Sequence, residues 1–280
     1  MRRLETVSAL HQWRRDVVGS LGLVPTMGFF HEGHLSLVRR ARAENDVVAV
    51  SIFVNPAQFG PAEDFTTYPR DLRRDLALLE EAGVDLVFVP DREEIYPEGY
   101  ATYVTVERLT DRWEGASRPG HFRGVATVVA KLFTLFQPHR AYFGQKDYQQ
   151  LVVVRRLARD LGFSLAVVTC PIIRDPDGLA QSSRNSHLSP AERQAALALS
   201  RALRAGEMAY QGGERSGRRL REIVEEVLAR EPLAKPDYVA VAHPETLEEC
   251  EEVGPLGAVL CLAVWIGATR IIDNSLLAPS

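Results

Sequence analysis

The sequence predicts an α/β protein: a Rossmann-like parallel sheet with helices on both faces, plus a smaller α+β C-terminal domain. Short apolar, β-branched runs alternate with amphipathic stretches through residues 1–173. Such alternation calls for a parallel sheet covered on both sides. The first run passes through a glycine-containing turn into a helical pattern. From about Arg174 the texture changes to long Ala/Leu/Arg stretches and a second group of apolar runs, so residues 174–280 are expected to form a separate lid domain.

In order along the chain, residues 21–24 read as the end of a buried strand, and a helix starts at about His34. Residues 47–54 are a continuous apolar run closed by Asn55-Pro56, which marks a buried strand. Leucine spacing over 72–82 predicts a helix with Gly83 at its C-cap, and a strand at 84–89 ends at Pro90. A helix at 125–136, a strand at 140–143, a helix at 148–161 ended by Gly162 and a strand at 165–168 follow. Ser189-Pro190-Ala191-Glu192 is a helix start, with Ser189 as N-cap, Pro190 at the first helical position and Glu192 completing a capping box. That helix runs to about Tyr210, where Gly212-Gly213 breaks it. Residues 216–230 form another helix, and 238–241, 258–264 and 269–273 are strands.

The 280 residues are 46% hydrophobic and 25% charged, the balance of a soluble protein with a full core. A net charge of −4 speaks against nonspecific nucleic-acid binding. No apolar run is long enough to span a bilayer, so no membrane partner is expected. Met1-Arg2-Arg3-Leu4-Glu5 is basic without a following apolar core, and no secretory signal is expected. Cys170, Cys250 and Cys261 are scattered, as suits a reducing cytoplasm. Lys131, Lys146 and Lys235 are the only lysines, so Lys146 stands out from an arginine-rich background.

The most informative stretch is Pro25-Thr26-Met27-Gly28-Phe29-Phe30-His31-Glu32-Gly33-His34. A strand passing through a glycine turn into a helix aims the N–H groups of the first helical turn at one point, which favours an anion. His31 and His34 can donate to phosphate oxygens where charge builds as a triphosphate is attacked. This is an HxGH nucleotide-binding signature, and the phosphates it implies belong to ATP. Zinc would need three or four protein ligands, and no HExxH follows. Neither G-x-G-x-x-G nor G-x-x-x-x-G-K-[ST] occurs. A plain histidine-rich turn would suffice if the motif stood alone, but three further segments accompany it.

In Ser51-Ile52-Phe53-Val54-Asn55-Pro56-Ala57-Gln58-Phe59, Asn55 and Gln58 are uncharged amides at a strand end, able to hold a small polar substrate by donor and acceptor together. The same residues also fit an ordinary Asn-Pro turn. In Tyr142-Phe143-Gly144-Gln145-Lys146-Asp147-Tyr148-Gln149-Gln150, Gly144 lets the backbone approach a ligand and Lys146 offers phosphate a point charge. Gln150 lies one helical turn past Lys146 on the same face. In Gln181-Ser182-Ser183-Arg184-Asn185, two hydroxyls and a guanidinium follow the turn-forming Asp177-Gly178. Arginine grips phosphate by two parallel hydrogen bonds.

Together these segments resemble the pantothenate synthetase family, and the resemblance runs through nearly the whole chain. The 25–34 and 51–59 segments, Tyr68-Pro69-Arg70, His121-Phe122-Arg123-Gly124-Val125, the 143–151 stretch and the 182–185 loop occur in the family's order. HxGH alone would point only to the wider nucleotidylyltransferase superfamily. The resemblance implies a ligase, dependent on ATP and Mg2+, that adenylates pantoate, releases pyrophosphate and joins the adenylate to β-alanine, giving pantothenate and AMP. It also implies a homodimer, for which the apolar strand region at 51–56 is the expected interface.

Position by position, the resemblance puts Pro25, Met27, Gly28, His31, Gly33 and His34 in the ATP site, with His34 as proton donor. Gly144, Lys146 and Asp147 would contact ATP, Lys146 facing the phosphates, and Ile173 would touch adenine through its backbone. Gln181, Ser182, Ser183 and Arg184 would close over the triphosphate. His31, His34, Lys146 and Arg184 are the implied catalytic set; Gln58, Gln150 and Asn55 are the pantoate and β-alanine set. Two residues depart from the family's pattern: Ala57 and Gln181 stand where methionine is usual. Ala57 would loosen the wall beside Gln58, while Gln181 would still offer its backbone. Other readings are a plain nucleotidylyltransferase, a tRNA-binding module and a nucleotide sensor. Gln58 and Gln150 speak against the first, the lack of a basic patch against the second, and a turnover assay separates the third.

Overall fold

The computed structural model describes residues 1–60 and 65–278. The chain divides into two compact units, Met1–Gly144 with Gln149–Pro171, and Gln145–Tyr148 with Ile172–Ser280. The first unit begins with β1 (Arg2–Leu4) and α1 (Val7–Asp16), then β2 (Leu21–Thr26), α2 (Glu32–Glu44) and β3 (Val47–Ile52). A 3₁₀ turn (Pro56–Gln58), α3 (Leu72–Glu81), β4 (Leu86–Phe88) and the short α4 (Arg92–Ile95) and α5 (Glu114–Ser117) follow. Next come α6 (His121–Phe136), β5 (Arg140–Gly144), α7 (Tyr148–Asp160) and β6 (Ala166–Cys170).

Among the described residues, six strands pair in parallel in the order β1-β4-β3-β2-β5-β6. β2 pairs with β3 from Leu21↔Val47 to Thr26↔Ile52, whereas β5 meets β2 at Gly22 and Leu23. The direction of strand order reverses between β2 and β5. Ligands of open parallel sheets bind at the carboxyl ends beside such a reversal.

One sheet face, with Val24, Val50, Ile52, Val87 and Tyr142, is covered by Val38 and Ala41 of α2 and Leu79 of α3. On the other face, Phe136 of α6 meets Phe88 and Phe133 meets Phe143, edge to face. A helix sandwiched in this way must be apolar nearly all round, as α6 is. β3 lies between β2 and β4, with Ser51, Ile52, Phe53 and Asn55 buried within the chain. Val54 and Pro56 of the same segment are half-buried.

In the second unit, α8 (Pro190–Gln211) and α9 (Gly217–Leu228) cover an antiparallel sheet of β7 (Ala234–Ala242), β8 (Ala258–Ile266) and β9 (Thr269–Leu277). The capping box forms: Ser189 Oγ accepts from Glu192 N–H at 3.3 Å, and Ser189 N–H donates to Glu192 Oε2 at 2.8 Å.

Gly124 sets the distance between α6 and the 3₁₀ turn. A Cβ there would stand 2.2 Å from Ala57 O and 2.5 Å from Gln58 N. Backbone cannot swing aside as a flexible side chain does, so Gly124→Ala should destabilise the protein by about 1–3 kcal/mol. Urea unfolding of the two proteins measures this. An unchanged midpoint would show that the turn moves freely.

Candidate active site

The HxGH turn is built at the carboxyl end of β2. The strand runs on through Pro25 and Thr26, two residues beyond its expected end. Thr26 Oγ1 donates to Ser51 O at 2.7 Å and accepts from Gly28 N–H at 3.2 Å. Gly28 and Phe29 then take left-handed backbone, at φ +82° and +54°. At Gly28 a Cβ would meet Asp75 Oδ2 at 2.9 Å and Ile52 Cγ2 at 3.0 Å, so only glycine fits.

Asp75 of α3 holds this turn. Its two oxygens accept from Phe29 N–H at 2.6 Å and Phe30 N–H at 2.8 Å. Burial pushes its carboxyl above the usual range, while the two amides pull the other way.

The helix begins at Glu32 rather than at His34, with His31 as its N-cap. His31 Nδ1 accepts from Gly33 N–H at 3.1 Å, which leaves the proton of the neutral ring on Nε2. The Gly33 amide is thus donated inside the motif, and the N–H groups of His34 and Leu35 go to His31 O at 2.9 and 3.1 Å. This corrects the expectation that the amides of the first turn face an anion. The rings of His31 and His34 lie 4.2 Å apart, and Phe30, itself buried, meets His34 edge to face at 5.4 Å.

The amide segment sits beside that turn. Gln58 Nε2 reaches Met27 Sδ at 3.2 Å, bringing the first two motifs together. Gln58 is fixed by Asn55 Nδ2 on its Oε1 at 3.1 Å and by His121 Nδ1 on its carbonyl at 2.8 Å. Asn55 does not offer a substrate its amide as the sequence suggests. Its Nδ2 also donates to Gly124 O at 3.0 Å, and its Oδ1 accepts from Ala57 N–H at 3.2 Å and Tyr96 Oη at 2.8 Å. Asn55 builds the turn that presents Gln58. On α7, Gln149 is spent in the same way, accepting from Glu114 N–H and donating to Leu109 O and Arg112 O at 2.8–3.1 Å. Gln150, one residue on, is half-buried. Gly144 ends β5, and no described atom other than those of its chain neighbours lies within 4 Å of where its Cβ would stand.

The second unit carries the other predicted groups. Lys146 is half-buried and Asp147 exposed in the turn after β5. Ile173 opens a small hairpin in which Gln181 N–H donates to Ile173 O at 2.9 Å and Arg174 bridges to Ala180. Gln181 Nε2 donates to Asp175 Oδ1 at 3.0 Å, so both its backbone N–H and its side chain brace the hairpin. Arg193 of α8 clamps the same hairpin through Asp175 and Asp177, holding the Asp177 carboxyl below its usual range. Ser182 then caps a 3₁₀ turn by accepting from Arg184 N–H at 3.3 Å, and Ser183 and Arg184 are half-buried there.

Asp75 is a structural prop with a titration signature. Its carboxyl binds a proton more tightly folded than unfolded, so the proton-linked stability is greatest at low pH and is lost as pH rises through the folded value. Asp75→Asn removes that dependence. The stability difference, variant minus parent, should therefore rise through the carboxyl range and then level off. Urea unfolding in a pH series checks the sign, and a falling difference would refute it.

The family model described as pantoate-beta-alanine ligase matches residues 2–276. A pantothenate synthetase of Chloroflexus aggregans is 60% identical over 263 residues, covering 94% of this chain and 95% of its own. That of Roseiflexus sp. (strain RS-1) is 58% identical, covering 99% of both. The crystal structure of pantothenate synthetase from Thermus thermophilus aligns with a TM-score of 0.94 at 55% identity, covering 100% of both chains. A pantoate-beta-alanine ligase from Francisella tularensis, complexed with beta-gamma ATP and beta-alanine, aligns at 0.81 with 34% identity, covering 99% of this chain and 97% of its own. By sequence and by fold, this chain belongs to the pantoate–β-alanine ligase family.

Proposed function

We propose that the chain joins pantoate to β-alanine at the expense of ATP, through a pantoyl adenylate, releasing pyrophosphate and AMP. The observation that carries this reading is the contact of Gln58 with Met27, which brings a neutral amide onto the turn that leads from β2 to the paired rings of His31 and His34. The Francisella relative holds an ATP ligand and β-alanine, two of the three substrates of this reaction.

A carboxylate is a poor electrophile, and esterification to AMP gives it a good leaving group. Pantoate's carboxylate oxygen bonds to the α-phosphorus as the bond to pyrophosphate breaks, and charge spreads over the phosphate oxygens. His31 and His34 donate to those oxygens, and His34 supplies a proton to the departing pyrophosphate oxygen. Lys146 and Arg184 are assigned to the phosphates as positive charge, and Gly144, Asp147, Ile173 and residues 181–183 to the nucleotide. Gln58 and Gln150 bind pantoate, and Gln58 also meets β-alanine, whose amine then displaces AMP from the acyl carbon. Mg2+ would be held chiefly by the ATP phosphates and water and would neutralise charge on them. Among the described residues no group of three His, Cys, Asp or Glu stands ready to hold a metal alone. The reading extends, on family resemblance, to a cytoplasmic homodimer, with dimer mass by light scattering as its check.

Pantoate-dependent exchange of pyrophosphate into ATP, without β-alanine, tests the adenylate step. Its absence would overturn the mechanism. His34→Ala should slow this exchange about 10²–10³-fold, the scale of losing one donor to a developing oxyanion. Normal exchange would sink that assignment. Gln150→Ala should raise the pantoate KM and leave that of ATP nearly unchanged, because a site built for a polar group is left with an unpaired partner. The reverse pattern would exchange the two subsites.

A further inference from the structure

β9 carries an Asp-Asn pair in the middle of an apolar strand, Ile271-Ile272-Asp273-Asn274-Ser275-Leu276-Leu277, with Asp273 3% and Asn274 2% exposed. Buried polar groups are costly unless satisfied, and both residues bond outside their own sheet. Asn274 Nδ2 donates to two successive carbonyls, Gln145 O at 3.0 Å and Lys146 O at 2.8 Å. Its Oδ1 accepts from Gln145 Nε2 at 3.2 Å. Asp273 receives Arg174 through two parallel bonds of 2.6 and 2.9 Å, and its Oδ1 also accepts from Asn274 N–H at 2.8 Å. Arg174 in turn donates to Gly178 O at 3.1 Å, inside the hairpin that leads to residues 181–184.

Two carbonyls of one turn pinned by one amide fix two peptide planes, and so the direction in which the Lys146 side chain leaves the backbone. This matters for lysine, whose charge rides on a flexible four-carbon stem. The Arg174 pair ties the hairpin bearing Ile173 and the 181–184 loop to the same dipeptide. A neutral core of equal size would pack here and would hold neither loop.

We propose that Asp273 and Asn274 are positioning residues, which hold the Lys146 turn and the 173–184 hairpin in one frame and so set the geometry of the groups that meet the triphosphate. This rests on the role given to Lys146 under the proposed function. Asn274→Ala should slow pantoate-dependent pyrophosphate exchange about 10²-fold, the scale of a roughly 1 Å misplacement, with the pantoate KM unchanged. In a Lys146→Ala background the same substitution should add little, because contacting residues that act through one group are not additive. Amide exchange over residues 145–148 should quicken while that of β8 stays as in the parent.

Normal exchange in Lys146→Ala would overturn the role of Lys146 itself. A slowed Lys146→Ala with a normal or fully multiplicative Asn274→Ala would overturn only the positioning role. If Asn274→Ala does not fold, Gln145→Ala removes one of the three bonds from the turn side. It should give a smaller loss with the same non-additivity, and a multiplicative effect would again refute the proposal.

Discussion

The front of the first sheet depends on one buried carboxylate. β2 must leave the sheet and start α2 within five residues, and it does so through left-handed backbone at Gly28 and Phe29. For a non-glycine residue such backbone costs roughly 1–2 kcal/mol. The paired bonds from Phe29 and Phe30 to Asp75 offset that cost, since hydrogen bonds to charged acceptors are among the stronger ones. Phe30 is thereby driven into the core, and His31 and His34 follow as the first turn of α2. Without the carboxylate the two amides would be left facing an apolar wall.

The polar residues that build and line these turns fall into two groups. Asn55, Gln149, Asn274 and Asp75 spend their side chains on backbone amides and carbonyls and, for Asn55 and Asn274, on neighbouring side chains as well, and each fixes a loop. Gln58 and Lys146 stand on turns fixed in this way, Gln150 on α7 and Arg184 on the hairpin that Arg174 and Arg193 hold. The difference is physical: an amide with all its donors and acceptors satisfied by protein has nothing left to give a ligand. The neighbouring glutamines on α7 illustrate it, because a shift of one residue turns the second side chain about 100° from the first.

Much of this architecture was legible in the sequence. Continuous apolar runs marked the buried parallel strands, and Ser189 to Glu192 marked α8 to the residue. The misses have local reasons. α6 starts at His121 behind Gly120 in left-handed backbone, with no Ser, Thr or Asp to signal a cap. β1 has three residues, too few for a periodicity to appear, and it is a strand because it pairs with β4. Asp75 lies inside a helix whose leucine spacing explains the local pattern, so its service to a turn 45 residues away leaves no local mark. Asn55 carried the right residue type for substrate binding, and only its four partners show the turn it builds.

The two departures from the family's pattern can be weighed by the same distinction. Gln58 is oriented by Asn55, His121 and Met27, and none of these contacts involves the side chain of residue 57. Ala57 therefore changes the wall near the amide and leaves the amide's own anchors intact. What residue 57 contributes to the turn is backbone, through its N–H to Asn55 and the close approach of its carbonyl to Gly124. Gln181 likewise departs in side chain while keeping its backbone bond to Ile173. Its new amide adds a tie to Asp175 that a methionine could not make. At both positions the backbone makes bonds that shape the loop, and these do not depend on the side chain that differs.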